Sequence, residues 1–439
     1  MNLAPSSSIF SGLPIRDLLR HINTSTTNSD IQIALALIFG TNQQTRKARK
    51  LSHLTHATEV DHQIRYPLKA RVDRSILKLA SFSADQLLQN SISEISVNIS
   101  KDDYISQIFF SCLRKNGIRI QINSSLLNSE ISIDLLNSTE QQILRSIQIN
   151  EMNLDFILKY AQERIYAGDY SSAYCVLIKF DPSDRNDICH HILGLCCNFF
   201  GNTIESEVHF RRLLASGNIL SKVKAAYVLS MLYLRLHPKD NQDLNTAEQL
   251  LIDSHQLIEA NTTMKDYYFH SVFNRNGYAL CLFRRGQIDD ALEMLNLGIE
   301  KLKNSDDGAK CLHQSVLIYN AVQCFKALQR YEECEELCKN LLEIDPLFPE
   351  YWLELSIIHL QQDDFKAALV TLNKAEELDA FIPEIYALRG YTYLNQNKLE
   401  FAVRNYRKAV ALDPHNATYM SDLDYCLNTE PANNLENII

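Results

Sequence analysis

The sequence predicts a mostly α fold, a solenoid of stacked helix hairpins behind a small α+β or mainly helical N-terminal domain. Three observations carry this reading. Similar residues return every 34 positions toward the C-terminus: Asp345-Pro346 and Asp413-Pro414 stand 68 apart, with Asp379-Ala380 midway. A fixed period of a few tens of residues is the mark of a repeat architecture. The 12 Gly and 10 Pro among 439 residues are too few for a chain of tight β-hairpins or long linkers. A hydrophobic share of 46% against 22% charged residues is enough to build a real core.

Taken in chain order, residues 13–22 place Ile15, Leu18, Leu19 and Ile22 on one helix face. The same spacing predicts helices over 28–39, 68–80 and 84–90. Ile95, Val97 and Ile99 then alternate with polar residues, as in a half-buried strand. Residues 102–117 read as a helix stopped by Asn116-Gly117. Ile118, Ile120 and Ile122 form a second alternating run, and Ile131 and Ile133 a third. A capping signal opens a helix over 137–147. Helix, strand, loop, strand is the order of a winged-helix element with 102–116 as its reading helix. Against that, no helix precedes it between 99 and 102, and its end carries only Arg114 and Lys115.

The repeat begins near 151. In the 34-residue frame Ile318, Trp352 and Tyr386 align, as do Phe325, His359 and Tyr393; Cys334, Ala368 and Ala402; and Leu341, Ala375 and Ala409. Each unit reads as two amphipathic helices joined by a turn such as Gln362-Asp363-Asp364 or Asn395-Gln396-Asn397. Large residues fill holes between successive helices, and small ones let the two helices of a hairpin approach. Asp-Pro ends one helix and begins the next, because Pro lacks a backbone donor but suits a first helical turn. A lone hairpin cannot bury its apolar face, so several must stack. About seven pairs fit 151–415, followed by a closing helix near 417–428.

Residues 383–414, with Gly390, Tyr393, Ala402, Tyr406, Ala409 and Pro414, resemble a tetratricopeptide repeat; Arg389 stands where that family usually has Leu. Residues 286–295 resemble another unit, and 191–214 a third through Leu193, Gly194, Gly201, Ser206 and Phe210. Gly168, Tyr170, Ala173 and Leu177 start the array, while 219–260 is a degenerate pair with a long polar turn. The resemblance covers roughly 60% of the chain. It implies a right-handed solenoid whose first helices line a concave groove for an extended peptide or a partner helix.

Mapped onto this chain, the groove holds Phe273, Asn276, Phe283, Tyr319, Asn320, Gln323, Lys326, Leu353, Ile357 and Tyr391. Amides there pair with a peptide backbone and aromatic rings take its side chains. The opposing expectation is that several of these residues pack against an adjoining helix. The basic clamp that some relatives use for a peptide's terminal carboxylate is not assembled, which argues against a heat-shock chaperone adaptor.

Charge divides the chain. Residues 1–150 hold 16 Lys+Arg and 12 Asp+Glu, net +4, whereas 151–439 hold 27 and 41, net −14. The expected organisation is a basic N-terminal module over 1–150, a solenoid over 151–429 and a flexible tail over 430–439. The basic excess centres on Arg46, Lys47, Arg49, Lys50, Lys69, Arg71 and Arg74. A solvated helix face, a contact with acidic protein surface and a nucleic-acid contact are its three readings. The N-terminus lacks a basic stretch followed by an apolar core, and the longest apolar run, 31–40, is too short to cross a bilayer, so a cytoplasmic protein without membrane insertion is expected. Eleven cysteines in such a chain are expected as free thiols. No phosphate loop, nucleophile elbow or HExxH helix occurs. His53, His56 and His62 lack a further ligand, so no cofactor and no metal is expected. The first expectation for function is a non-enzymatic scaffold, adaptor or chaperone that holds a protein or peptide; homo-oligomerisation through the groove is a variant of it. The competing classes are a regulator with an N-terminal nucleic-acid-binding module and a repeat sensor, and an enzyme with an unrecognised N-terminal catalytic domain.

Overall fold

A computed structural model describes residues 1, 12–22, 31, 68–97, 99, 103–122, 135–148, 153–180, 185–303 and 310–429. The expected helix over 28–39 apart from Ile31, the alternating run at 131–133, the histidines at 53, 56 and 62, and the tail at 430–439 lie outside these residues. The chain is mostly α, as expected, and its contacts form two compact units: 1–51 with 56–285, and 52–55 with 286–439. The contacts therefore divide near 285, not near 150.

The first unit begins with α1 (Leu13–Leu19) and α2 (Leu68–Gln89). The second is one continuous helix where the sequence spacing predicted two, because the polar residues between 80 and 84 do not include a breaker. Strand β1 (Glu94–Val97), helix α3 (Tyr104–Lys115) and strand β2 (Arg119–Ile122) follow. The strands pair parallel, with Ile95 opposite Ile120. A winged-helix element needs a hairpin after its reading helix; here the helix is the crossover of a small parallel βαβ unit, which corrects that alternative. Helix α4 (Ser138–Gln148) carries the capping box the sequence predicted: Glu140 N donates to Asn137 Oδ1 at 2.9 Å and Asn137 N to Glu140 Oε2 at 3.0 Å.

Ile15, Leu18, Ile76, Ile95, Phe109 and Ile120 pack in a core of their own, while Leu13 and the α4 region reach the repeats. Leu13, Leu135, Leu136, Ile143 and Leu144 share one core with Ile157, Leu193 and Phe210 of the repeats. A buried ion pair fixes the join: Arg16 grips Glu140 with two bonds of 2.6 and 2.9 Å, and Glu140 also accepts the Tyr160 hydroxyl at 3.1 Å. Losing either charge leaves the other buried and unpaired, which typically costs about 3–5 kcal/mol.

The repeat helices of the first unit are α5 (Leu154–Ala167), α6 (Tyr170–Leu177), α7 (Asp187–Phe199), α8 (Thr203–Leu214), α9 (Ile219–Met231), α10 (Leu244–Glu259) and α11 (Tyr267–Arg284). A π-helical turn, Leu232–Leu236, extends α9 into the polar loop, which is the degenerate pair of the sequence reading. Hairpin partners α5/α6, α7/α8 and α9/α10 pack together, and the first helices α5/α7 and α9/α11 also touch, so alternate helices share a face. At the α7/α8 crossing a Cβ on Gly194 would stand 2.6 Å from the Phe210 ring. That approach requires glycine.

The second unit holds α12 (Ile288–Lys303), α13 (Lys310–Ala327), α14 (Tyr331–Ile344), α15 (Pro349–Gln361), α16 (Phe365–Leu378), α17 (Pro383–Asn395), α18 (Leu399–Leu412) and α19 (Ala417–Thr429). The 34-residue frame appears as repeated geometry. Asp345 and Asp379 each cap the preceding helix and accept from the backbone N–H two residues on, at 3.1 Å. The prolines that start the next helices are Pro349 and Pro383, not Pro346. Trp352 Nε1 donates to Pro346 O at 2.9 Å, and Tyr386 Oη, 34 residues later, to Ala380 O at 3.0 Å. Arg389 departs from the family pattern because it pairs with Glu376 at 2.7 Å and with Asn373 at 2.9 Å. Among the described residues no helix is long and apolar enough to cross a membrane.

Candidate functional site

The expected groove residues fall into both units, and each set has its own surroundings. In the second unit, α13 and α15 face each other through a polar set. Glu354 is buried, 5% exposed, and accepts the Tyr319 hydroxyl at 3.1 Å on one oxygen and the Lys326 ammonium on the other. The Tyr351 ring lies 6.2 Å from that of Tyr319. Beside them the Gln323 amide nitrogen is buried and has no hydrogen-bond partner. An unpaired buried amide costs about 1–3 kcal/mol unless something binds it. Burial, reinforced by the Glu354 carboxylate, pushes the Cys338 thiol behind this set well above its ordinary range, so it stays a neutral packing group.

Asn320 and Ile357 are half-buried, and Tyr391 is 49% exposed. Gln323, Ile357 and Tyr391 occupy one position of the 34-residue frame, so they form a row along the first helices. Leu353, expected on the groove, is instead a core residue packed with Leu372, Ile385 and Tyr386. It stands one residue before Glu354, which turns it about a quarter-turn toward α16. Glu354 was not singled out in the sequence. Its signal was available: it stands 34 residues after Asn320, in the same position of the frame.

In the first unit, Phe273 packs on Phe269 at 4.6 Å and edge-on to Tyr227 of α9 at 6.0 Å. Asn276 is 7% exposed and Phe283 half-buried. The neighbouring Asn274 donates to Leu251 O at 3.0 Å. Phe273 thus packs between α11 and α9. Of the basic stretch, Arg46, Lys47, Arg49 and Lys50 lie outside the described residues. Lys69 and Arg71 fall in the first turn of α2, and Arg74, one turn on, is half-buried.

Comparison with known proteins follows the repeat frame. The tetratricopeptide repeat family matches residues 383–416. The anaphase-promoting complex subunit cut9 of Schizosaccharomyces pombe (strain 972 / ATCC 24843) is 23% identical over 283 residues, which is 58% of this chain and 42% of that protein; the match therefore spans less than half of the relative's length. Among solved structures, a tetratricopeptide repeat protein from Parabacteroides merdae ATCC 43184 has 18% identity and a TM-score of 0.44, covering 62% of this chain and 98% of the other. A thermophilic one from Thermus thermophilus has 15% identity and a TM-score of 0.35, covering 47% and 99%. The helix hairpins of the array follow a 34-residue frame, and the unit at 383–416 matches the tetratricopeptide repeat family.

Proposed function

We propose that this tetratricopeptide repeat protein is a non-enzymatic scaffold or adaptor, and that the α13/α15 face of its second unit holds an extended peptide or helix of another protein. The carrying observation is the buried, unpartnered amide of Gln323 beside the Tyr319–Glu354–Lys326 set. A free amide donor in a half-apolar row suits a peptide carbonyl, while Ile357 and Tyr391 take side chains. A curated relative whose name makes it a subunit of a complex agrees with a scaffolding role. A cytoplasmic setting belongs to the same reading: ten of the eleven cysteines are free thiols, nine of these buried, which suits a reducing compartment. A chaperone role is a variant in which the held segment belongs to an unassembled partner.

Gln323→Leu tests the site cleanly, because it removes the donor while filling the same space. Wild type and variant are compared in affinity capture from host lysate, and the captured protein is then tiled as labelled peptides for fluorescence anisotropy. The expected result is a peptide that binds wild type and loses about tenfold in affinity to the variant, the worth of one hydrogen bond of about 1.4 kcal/mol, while the variant melts no lower than wild type. Equal affinity for both chains, or capture of the same partners by both, defeats the assignment.

A further inference from the structure

The α7/α8 hairpin of the first unit contains a second constellation that neither the repeat fold nor the proposed peptide site uses. Cys197, near the end of α7, and Glu205 and His209, one helical turn apart on α8, bring a thiol sulfur, a carboxylate oxygen and a ring nitrogen within 4.8 Å of one another. Cys197 is 1% exposed, His209 7%, and Glu205 half-buried at the mouth of the cluster. The turn between the helices, closed through Gly201, is what folds these three back together. The i, i+4 spacing of Glu205 and His209 stacks them on one face of α8.

We propose that Cys197, Glu205 and His209 form a zinc-binding site that pins the α7/α8 hairpin. One thiolate, one imidazole and one carboxylate form a donor set that zinc accepts, and three protein ligands leave the fourth tetrahedral position to a water. Metal–ligand bonds of about 2.0–2.3 Å place ligand atoms roughly 3.5 Å apart, so side-chain rotation must draw the cluster in by about an ångström. On binding, the Cys197 proton leaves to solvent and the sulfur bonds the metal as thiolate.

The outer contacts are those a metal site needs. His190 Nδ1 lies 2.9 Å from His209 Nδ1; with the His209 Nδ1–H donating to His190, the other ring nitrogen of His209 is free to bind the metal. Asn202 Nδ2 donates to one Glu205 oxygen at 2.7 Å and the Tyr174 hydroxyl to the other at 3.3 Å, which orients the carboxylate. Such partners hold metal ligands in place, and losing one typically weakens binding about 10–100-fold. The signal in the sequence is Cys-x7-Glu-x3-His, a spacing that a search for pairs of close cysteines does not reach.

Cobalt(II) reads the site in the full chain. The reduced protein is stripped with chelator and titrated with Co2+, which gives a thiolate-to-cobalt charge-transfer band in the near ultraviolet only when sulfur binds the metal. The expected outcome is saturation at one equivalent, displacement by Zn2+, and a higher melting temperature with zinc. Cys197→Ser, checked for an unchanged helical circular-dichroism spectrum, loses the band; Glu205→Gln and His209→Gln weaken Co2+ binding by about tenfold or more; His190→Ala weakens it by about 10–100-fold. No band at one equivalent in wild type overturns the site. A band of full intensity in Cys197→Ser, or unchanged affinity in both Glu205→Gln and His209→Gln, overturns the assignment of ligands, and the two α8 variants decide the matter if Cys197→Ser does not fold.

Discussion

The hairpins α7/α8 and α17/α18 solve one packing problem with different parts. Both cross at a glycine pressed against an aromatic ring sixteen residues later: Gly194 on Phe210, and Gly390 on Tyr406, where a Cβ would stand 2.6 and 3.0 Å from the ring. In the first the small facing residue is Ser206, whose hydroxyl donates to Gly194 O at 2.8 Å; in the second it is Ala402. The turn residue with positive φ is Gly201 in the first and Asn397 in the second. The crossing is fixed by sterics and so is repeated. The turn and the facing residue tolerate several chemistries and so diverge, and α7/α8 is also where Cys197, Glu205 and His209 meet.

The comparison breaks most severely if the ring is removed. Phe210→Ala should cost about 3–5 kcal/mol in urea unfolding, because it opens a cavity at the centre of the first unit's core. Adding a methyl separates the two hairpins. In Gly194→Ala an overpacking penalty of about 1–3 kcal/mol exceeds the gain of about 1 kcal/mol in helix propensity, whereas in Gly390→Ala the looser contact leaves the two near balance. Equal losses in both variants would remove the distinction between them. At the turns, Gly201→Ala should cost about 1–2 kcal/mol for a left-handed backbone with a Cβ, while Asn397→Gly should change stability little. Ser206→Ala, which makes the first hairpin resemble the second, should cost about 0.5–1.5 kcal/mol, the net worth of one hydrogen bond.

The smallest effect concerns acid. Burial alone raises the carboxyl of Glu376, but hydrogen bonds from Tyr386 and Arg389, with the charges of Arg389 and Lys408, outweigh it and hold the folded-state value below the usual one. The stabilisation from this group is thus present above the ordinary glutamate range and is lost as pH falls through the depressed folded value. The wild-type melting temperature should therefore drop more steeply below about pH 4 than that of Glu376→Gln. Parallel curves for the two would show that the cluster contributes nothing.

Legibility followed locality. The hairpins from 154 to 429, the capping box at Asn137 and the Gly194–Phe210 and Gly390–Tyr406 crossings are encoded within a few tens of residues, so periodicity and residue size exposed them. Glu354 was legible only through its 34-residue relation to Asn320. Leu353 was misplaced because one residue of rotation on a helix separates groove from core. The parallel pairing of β1 and β2 was hidden, since alternation marks a strand and not its partner.

The sequence by itself determined that this chain is a stack of helix hairpins, because in a repeat each element contacts its neighbours and the information for each contact lies nearby. Only the tertiary structure decided the rest. It placed Arg16 against Glu140 across 124 residues, joined α1 and α4 to the array through one core, left the Gln323 amide buried without a partner, and brought a thiol, a carboxylate and an imidazole together at one hairpin. Those contacts depend on which faces meet once the chain is packed, and no periodicity along the sequence records that.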